Sequence, residues 1–198
     1  MYERWGKPAM DVVAAGTLLV LLAPVMAVVA LAVRVRLGRP VLFIQPRAGM
    51  CGAPFQLPKF RSMAEGPGED AERLDRFGRA LRASGLDELP QLLCVLRGEM
   101  SLVGPRPLPL EYLARYSPRQ ALRLSVRPGL AGAGVAAGRN AVGWAERLER
   151  DAAYAAHPPT LTGDLRLLVA TLRVWLSGRG AAAQGHATMP AFHGETDV

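Results

Sequence analysis

The residues best suited to chemistry are two adjacent acids, Asp87 and Glu88, in the run Gly85-Leu86-Asp87-Glu88-Leu89-Pro90-Gln91-Leu92. A second run follows at short range, Gly98-Glu99-Met100-Ser101-Leu102-Val103-Gly104-Pro105-Arg106-Pro107. Carboxylates are hard oxygen ligands for Mg²⁺, and a guanidinium between two prolines is a planar cation with little backbone freedom. Metal and arginine together suit a diphosphate. Taken alone, two acids at a helix start are more often partners of the helix dipole or an N-cap. This pair is not alone. Lys59, Arg61, Arg106, Arg127 and Arg139 all fall in or beside expected turns, where bases serve phosphate binding more readily than on a solvated helix face. No histidine or cysteine adjoins the acids. That suits phosphoryl transfer, which rests on positioning and charge stabilisation.

The elements that must position these groups are legible in outline. A helix is predicted from about Asp87 to Arg97, with Pro90 in its first turn and Gly98 just past its end. Before it, Leu74, Phe77 and Leu81 form an apolar stripe at helical spacing, with Arg73, Arg76, Arg79 and Arg82 displaced from it and Gly85 as a stop. Val41 to Gln45 and Ala53 to Lys59 flank the turn-rich Pro46 to Gly52 and read as a β-hairpin. Leu110 to Leu124 reads as helix interrupted at Ser117-Pro118. Residues 127–143, rich in glycine and alanine with Arg127 and Arg139 as their only charges, read as a flexible, ligand-facing loop. Leu165 to Leu176 is apolar with Arg166 and Arg173 on one face, which fits a membrane-interface helix or a core helix with two exposed arginines.

Val12 to Val33 is a stretch of 22 residues without a charge, close to the roughly 20 that a bilayer-crossing helix needs. It lacks the features of a cleaved signal peptide and is expected to be retained. Pro24 sits near its middle, where a bend is expected. Arg4 and Lys7 precede the run and Arg34, Arg36 and Arg39 follow it, so both flanks favour the cytoplasm. A re-entrant helix that turns at Pro24 satisfies both; residue physics alone leaves it level with a single span.

At 198 residues, with 50% apolar and 21% charged side chains and a net charge of +7, the chain suits one domain with a core and an anionic partner. Cys51 and Cys94 exclude a disulfide framework and fit a reducing compartment. Aromatics at 6% and the lack of a recognition motif argue against a nucleic-acid-binding module.

The motifs in their order resemble the bacterial sugar transferase family, the monotopic polyprenyl-phosphate phosphoglycosyl transferases. Gly38 to Gln45 and Lys59-Phe60-Arg61-Ser62-Met63 come first, then Leu86 to Leu92 and Met100 to Pro107. Arg127-Pro128-Gly129-Leu130, Gly138-Arg139-Asn140, Trp144, Asp151, Tyr154 and Asp164-Leu165 complete the resemblance, which covers most of the chain. It implies a mainly helical α+β protein, monotopic in the membrane, whose re-entrant helix is broken at Pro24 and whose small helical catalytic domain contains a β-hairpin. The expected division is a membrane-associated segment at 1–38, a catalytic domain at 39–178 and a mobile tail at 179–198.

The implied reaction moves a sugar 1-phosphate from a UDP-sugar to undecaprenyl phosphate, giving the lipid diphosphate sugar and UMP. It is the first membrane step of glycan assembly, at the cytosolic face of the bacterial inner membrane. Asp87 is the implied nucleophile, forming a sugar-phosphoryl aspartate. Glu88 assists through metal or proton handling, with Mg²⁺, or Mn²⁺ in its place, held by Asp87 and Glu88. Lys59, Arg61, Arg106, Arg127 and Arg139 are the implied phosphate or substrate ligands. An anionic bilayer and a second copy of the chain are further partners it admits. The sequence departs from the family pattern at Ala131, Ala133, Gly134, Val135, Ala136 and Ala137, where polar groups are common. Ala23 stands before Pro24 in place of a frequent serine, and Pro8 replaces a frequent basic residue near Asp11. The simplified 131–137 segment leaves a second reading open, a membrane-bound family member that binds a partner or ligand without turnover.

Overall fold

The computed structural model describes residues 1–67, 69–178, 180 and 189–194. Leucine, valine and alanine dominate the first element, α1 (Lys7–Arg36), a helix of 30 residues and hence about 45 Å long. It is long and apolar enough to cross a membrane. The helix runs on through Pro24 instead of stopping there. A proline removes one N–H and releases one carbonyl, and the strong helix formers on both sides hold the remaining turns. Burial along α1 is uneven. Asp11 and Ala15 are buried near one end and Val29 and Val33 near the other, while Val20, Leu21 and Val28 between them are more than half exposed. Val29 and Val33 pack on Phe60 and Leu81, and Ala15 joins Leu92 and Val95. Both ends therefore rest on the same body; between them Leu19 and Met26 are partly packed against it, while Ala23, Pro24 and Val25 are exposed.

Strands β1 (Leu42–Ala48) and β2 (Pro54–Phe60) form the expected antiparallel hairpin. β1 extends further than the turn signals indicate and takes in Pro46 and Arg47, because in a two-stranded sheet it is an edge strand, which accommodates proline. In this register Phe43 faces Lys59 and Arg47 faces Phe55. The two-residue alternation then puts Arg47 and Lys59 on one face.

After the short α2 (Asp70–Arg73), α3 (Arg76–Ser84) is capped by Asp75, which accepts from the Gly78 amide at 2.7 Å. It stops at Gly85, whose φ of +72° suits glycine. The two acids follow in a 3₁₀ turn, Leu86–Gln91, and only then does α4 (Leu92–Leu96) begin. The single helix expected over 87–97 is divided because Pro90 has no N–H for an α-helical bond.

Strand β3 (Ser101–Val103) pairs in parallel with β4 (Gly129–Ala131), and α6 (Ala133–Ala136) follows. The 127–143 segment is therefore built into the fold and is not a flexible loop. Its small residues serve close packing: a Cβ on Gly129 would lie 2.1 Å from the Gly104 nitrogen. The stretch expected as one interrupted helix is two 3₁₀ turns, Leu110–Arg115 and Leu122–Ser125, around α5 (Pro118–Ala121), which carries a Ser117/Gln120 capping box.

The last elements are α7 (Trp144–Ala155) and α8 (Leu161–Leu176). α8 is only partly a core helix. It buries Asp164 and Thr171 but exposes Leu161, Leu165, Val169, Leu172 and Leu176 along one side. Of the 179–198 segment, residue 180 and residues 189–194 are described, and Phe192 is fully buried; the rest, His186 included, lies outside the described residues.

Candidate active site

Asp87 and Glu88 leave the α3 stop on the 3₁₀ turn and both are buried, at 5% exposure. Glu88 is gripped by the Arg106 fork, with Nη1 donating to Oε2 at 3.0 Å and Nη2 donating to Oε1. Arg106 stands on the loop after β3 and is held from behind: Arg123 donates to its carbonyl and to Asp151 Oδ2 at 2.9 Å, and the Gly134 amide donates to Asp151 Oδ1 at 3.1 Å. Asp87 differs from its neighbour, because its Oδ1 is buried without a hydrogen-bond partner among the described residues.

Around the two acids lies a cavity of about 620 Å³. Among the described residues, eight basic side chains line it, at positions 47, 59, 61, 73, 82, 106, 139 and 147, against four acidic ones at 65, 70, 87 and 88. Such an excess in a partly buried site calls for an anion. Arg47 and Lys59 come from the shared face of the hairpin. Arg82 comes from α3 and donates to the Ser62 hydroxyl at 2.8 Å. Arg147 comes from α7 and reaches Asn140 Oδ1 at 3.3 Å.

Two expected ligands also do structural work. Arg61 donates to the carbonyls of Leu37 and Arg39 and pairs with Glu65 at 2.9 Å, fastening the end of α1. Arg139 donates to the carbonyls of Ala83 and Arg82, at 3.2 and 2.8 Å, and caps α3. Arg127 is not brought to this cavity. It lines a separate one of about 250 Å³ with Arg4, Lys7 and Asp11 at the foot of α1. The cavity also lacks every residue from 131 to 137, so the loss of polar side chains there does not strip its walls.

Charge balance follows this geometry. Burial, then the Glu88 charge, pushes the Asp87 carboxyl up. Burial acts on Glu88 in the same sense, but the charge and hydrogen bonds of Arg106, with Arg139 and Lys59 behind it, outweigh that and bring it down. Burial, with Arg82 and Arg47 nearby, lowers Lys59 to about 8. Burial and Arg106 lower both Arg47 and Arg147 to about 10. These bases are short of negative partners.

Sequence reasoning misses Arg47 and Arg147 and sees in Arg82 only a displaced charge. The usable signal for Arg47 is the strand alternation that aligns it with Lys59. It also misses how α1 sets the Arg106 loop. Asp11 Oδ1 accepts from the Leu102 amide at 2.9 Å, and Lys7 donates to the Val103 carbonyl at 2.9 Å and to Asp164 at 2.7 Å. The foot of α1 thereby grips the strand that leads to Arg106.

Among the described residues, no three His, Cys, Asp or Glu side chains converge as a metal site. Mg²⁺ is commonly held by one or two carboxylates together with substrate phosphates. The unpartnered Asp87 Oδ1 fits that mode, whereas both Glu88 oxygens are engaged by Arg106.

A family model described as bacterial sugar transferase matches residues 2–178. The uncharacterized sugar transferase EpsL of Bacillus subtilis is 42% identical over 172 residues, covering 84% of this chain and 85% of that one. The exopolysaccharide production protein ExoY of Rhizobium meliloti is 33% identical, with 88% and 87% covered. The UDP-glucose:undecaprenyl-phosphate glucose-1-phosphate transferase of Caulobacter vibrioides is 48% identical over 139 residues, or 64% of this chain and 51% of that protein. This chain thus spans about half the length of the Caulobacter relative.

Proposed function

The chain belongs to the bacterial sugar transferase family, and from that premise we propose that it moves a sugar 1-phosphate from a UDP-sugar to undecaprenyl phosphate. The products are undecaprenyl-diphosphate-sugar and UMP. The observation that carries this reading is a buried carboxylate oxygen without a partner, Asp87 Oδ1, in a cavity where bases outnumber acids. A carboxylate left unneutralised within the chain, beside surplus cations, suits attack on an anionic diphosphate.

In the first step an Asp87 oxygen bonds to the β-phosphorus and the bond to the UMP oxygen breaks. In the second, an oxygen of the lipid phosphate displaces Asp87 and restores its carboxylate. Arg106 is held by Glu88 at an angle fixed from both sides, and Lys59, Arg47, Arg82 and Arg147 neutralise the donor phosphates. Glu88 serves chiefly to orient Arg106. Mg²⁺, held by Asp87 and the donor phosphates, would supply further neutralisation of the diphosphate.

The acceptor phosphate stays near the headgroup layer, which accounts for an enzyme seated in the membrane. The burial of both ends of α1 with its Pro24 region exposed supports a helix that enters and leaves on one face; the basic flanks at Arg4, Lys7, Arg34, Arg36 and Arg39 favour the cytosolic one. With Pro24→Leu, accessibility labelling should place the two flanks on opposite faces; flanks that stay together would remove proline as the determinant. The reaction is tested with a panel of UDP-sugars and undecaprenyl phosphate, reading UMP release and the intact mass of the quenched protein. A sugar-phosphate adduct present in the wild type and lost in Asp87→Asn is expected. No UMP from any donor would refute the proposal.

A further inference from the structure

The family match ends at residue 178, and residues 189–194 lie beyond it. They are nevertheless firmly held. Phe192 is fully buried, with ring centroids 5.6 Å from Tyr112, 6.0 Å from Tyr116 and 5.5 Å from Trp144. Its amide donates to the Tyr112 hydroxyl at 3.1 Å and its carbonyl accepts from Arg115. The Trp144 indole N–H donates to the Pro190 carbonyl at 3.1 Å. Aromatic packing of this kind, with the backbone groups also satisfied, fixes a segment that has no regular structure of its own.

Just before this latch, Met189 and Pro190 line the large cavity. Alongside its bases the cavity has an apolar stretch of wall continuous with the Phe192 cluster, made by Leu108, Tyr112, Trp144 and Met189 with Pro109 and Pro190 beside them, while Phe43 and Met63 add apolar lining near the hairpin bases. An aromatic and apolar wall takes the flat face of a base or the C–H face of a sugar.

We propose that residues 189–194 are a substrate strap, latched by Phe192, whose Met189 and Pro190 size that apolar stretch of the cavity wall for the uncharged end of a nucleotide-sugar donor. The inference rests on the donor class proposed above and adds what selects within it. Met189 and Phe192 are positioning residues; neither touches the reacting phosphorus.

The test uses the full chain in nanodiscs, with Phe192→Ala to open the latch, Phe192→Leu to restore part of it and Met189→Trp to narrow the wall. Donor KM and kcat are read over the UDP-sugar panel, with UMP as competitor, together with the melting shifts produced by UDP and by the UDP-sugars. Phe192→Ala should raise donor KM about tenfold, the scale set by a few lost apolar contacts. It should leave kcat and the KM for undecaprenyl phosphate little changed, with Phe192→Leu intermediate. Met189→Trp should reorder the donors against the bulkiest.

UMP inhibition that weakens in step with donor KM supports a base against the strap; unchanged UMP inhibition with reordered donors supports the sugar. Unchanged donor KM and ranking in every variant would overturn the strap. If Phe192→Ala fails to fold, Met189→Trp decides alone by the same criterion. Turnover by no donor would instead overturn the transferase reading, and the melting shifts produced by UDP and by the UDP-sugars then decide the strap. A smaller shift with either in a strap variant than in wild type supports it, and shifts that are equal or absent with both overturn it.

Discussion

Two buried charge clusters, one at the foot of α1 and one in the cavity, are built from the same residue types to opposite ends. At the foot of α1, Asp164 is fully satisfied: Oδ2 accepts from Lys7 at 2.7 Å and from Tyr2 at 2.8 Å, and Oδ1 accepts from Tyr154 at 2.9 Å. In the cavity, Glu88 is satisfied by Arg106, but Asp87 Oδ1 is not, and surrounding bases are lowered by burial. Charges that complete one another within the chain hold geometry. Charges left incomplete are free to meet a substrate, at a cost to the unliganded fold.

The sharpest way to separate the two is to neutralise one acid in each. Asp87→Asn should reduce UMP release by roughly 10³-fold or more, as expected for a lost nucleophile. Its melting temperature should stay level or rise. The reason is the sign of the shift: a carboxyl raised on folding makes its charged form unfavourable to the fold above the unfolded value, so at neutral pH removing that charge relieves the structure. Asp164→Ala should do the reverse. It strands Lys7, whose side chain is 13% exposed, and stranding a buried charge costs about 3–5 kcal/mol of stability. Denaturant unfolding should register that loss. A comparable loss in Asp87→Asn would erase the distinction between the clusters.

Arg106→Lys tests the border between them, because Arg106 is paired within the chain yet faces the cavity. An ammonium reproduces neither the fork on Glu88 nor a planar grip on phosphate. Turnover should fall about 100-fold, the scale for one lost charge-stabilising donor. The KM for undecaprenyl phosphate should change less than kcat. Wild-type kinetics would move Arg106 to the structural cluster.

The cavity is more legible in the sequence than the foot of α1. Asp87, Glu88 and Arg106 sit in short runs where proline and glycine announce turns, so their chemistry can be read locally. Asp164 meets Lys7 across 157 residues, and no periodicity signals that pairing. Arg47 is lost to a turn reading because its place follows from register with β2, a property of two strands and not of one. The small residues of 127–143 look like conformational freedom and serve instead the close approach of β4 to the Gly104 turn. Phe192 is a lone aromatic in a turn-rich stretch, and only its three ring neighbours in space give it a role.

The mildest test compares two lysines. Lys7 is paired with Asp164, whereas Lys59 is lowered to about 8 by burial and by Arg82 and Arg47. The free protein should therefore lose the Lys59 charge between about pH 7 and pH 9, with half of it gone near pH 8. A bound diphosphate favours the charged form and raises this value again, so UDP binding at pH 8.5 should take up a proton. Calorimetry in two buffers of different ionisation enthalpy reads that uptake directly. Affinity should fall as pH rises from 7 to 9, by at most about tenfold if only the charged lysine binds. Lys59→Arg should bind UDP with no such pH dependence, because a guanidinium stays charged throughout. Binding by the wild type without proton uptake would mean that Lys59 is already balanced within the chain, like Lys7, and that the cavity's surplus of positive charge lies elsewhere along its wall.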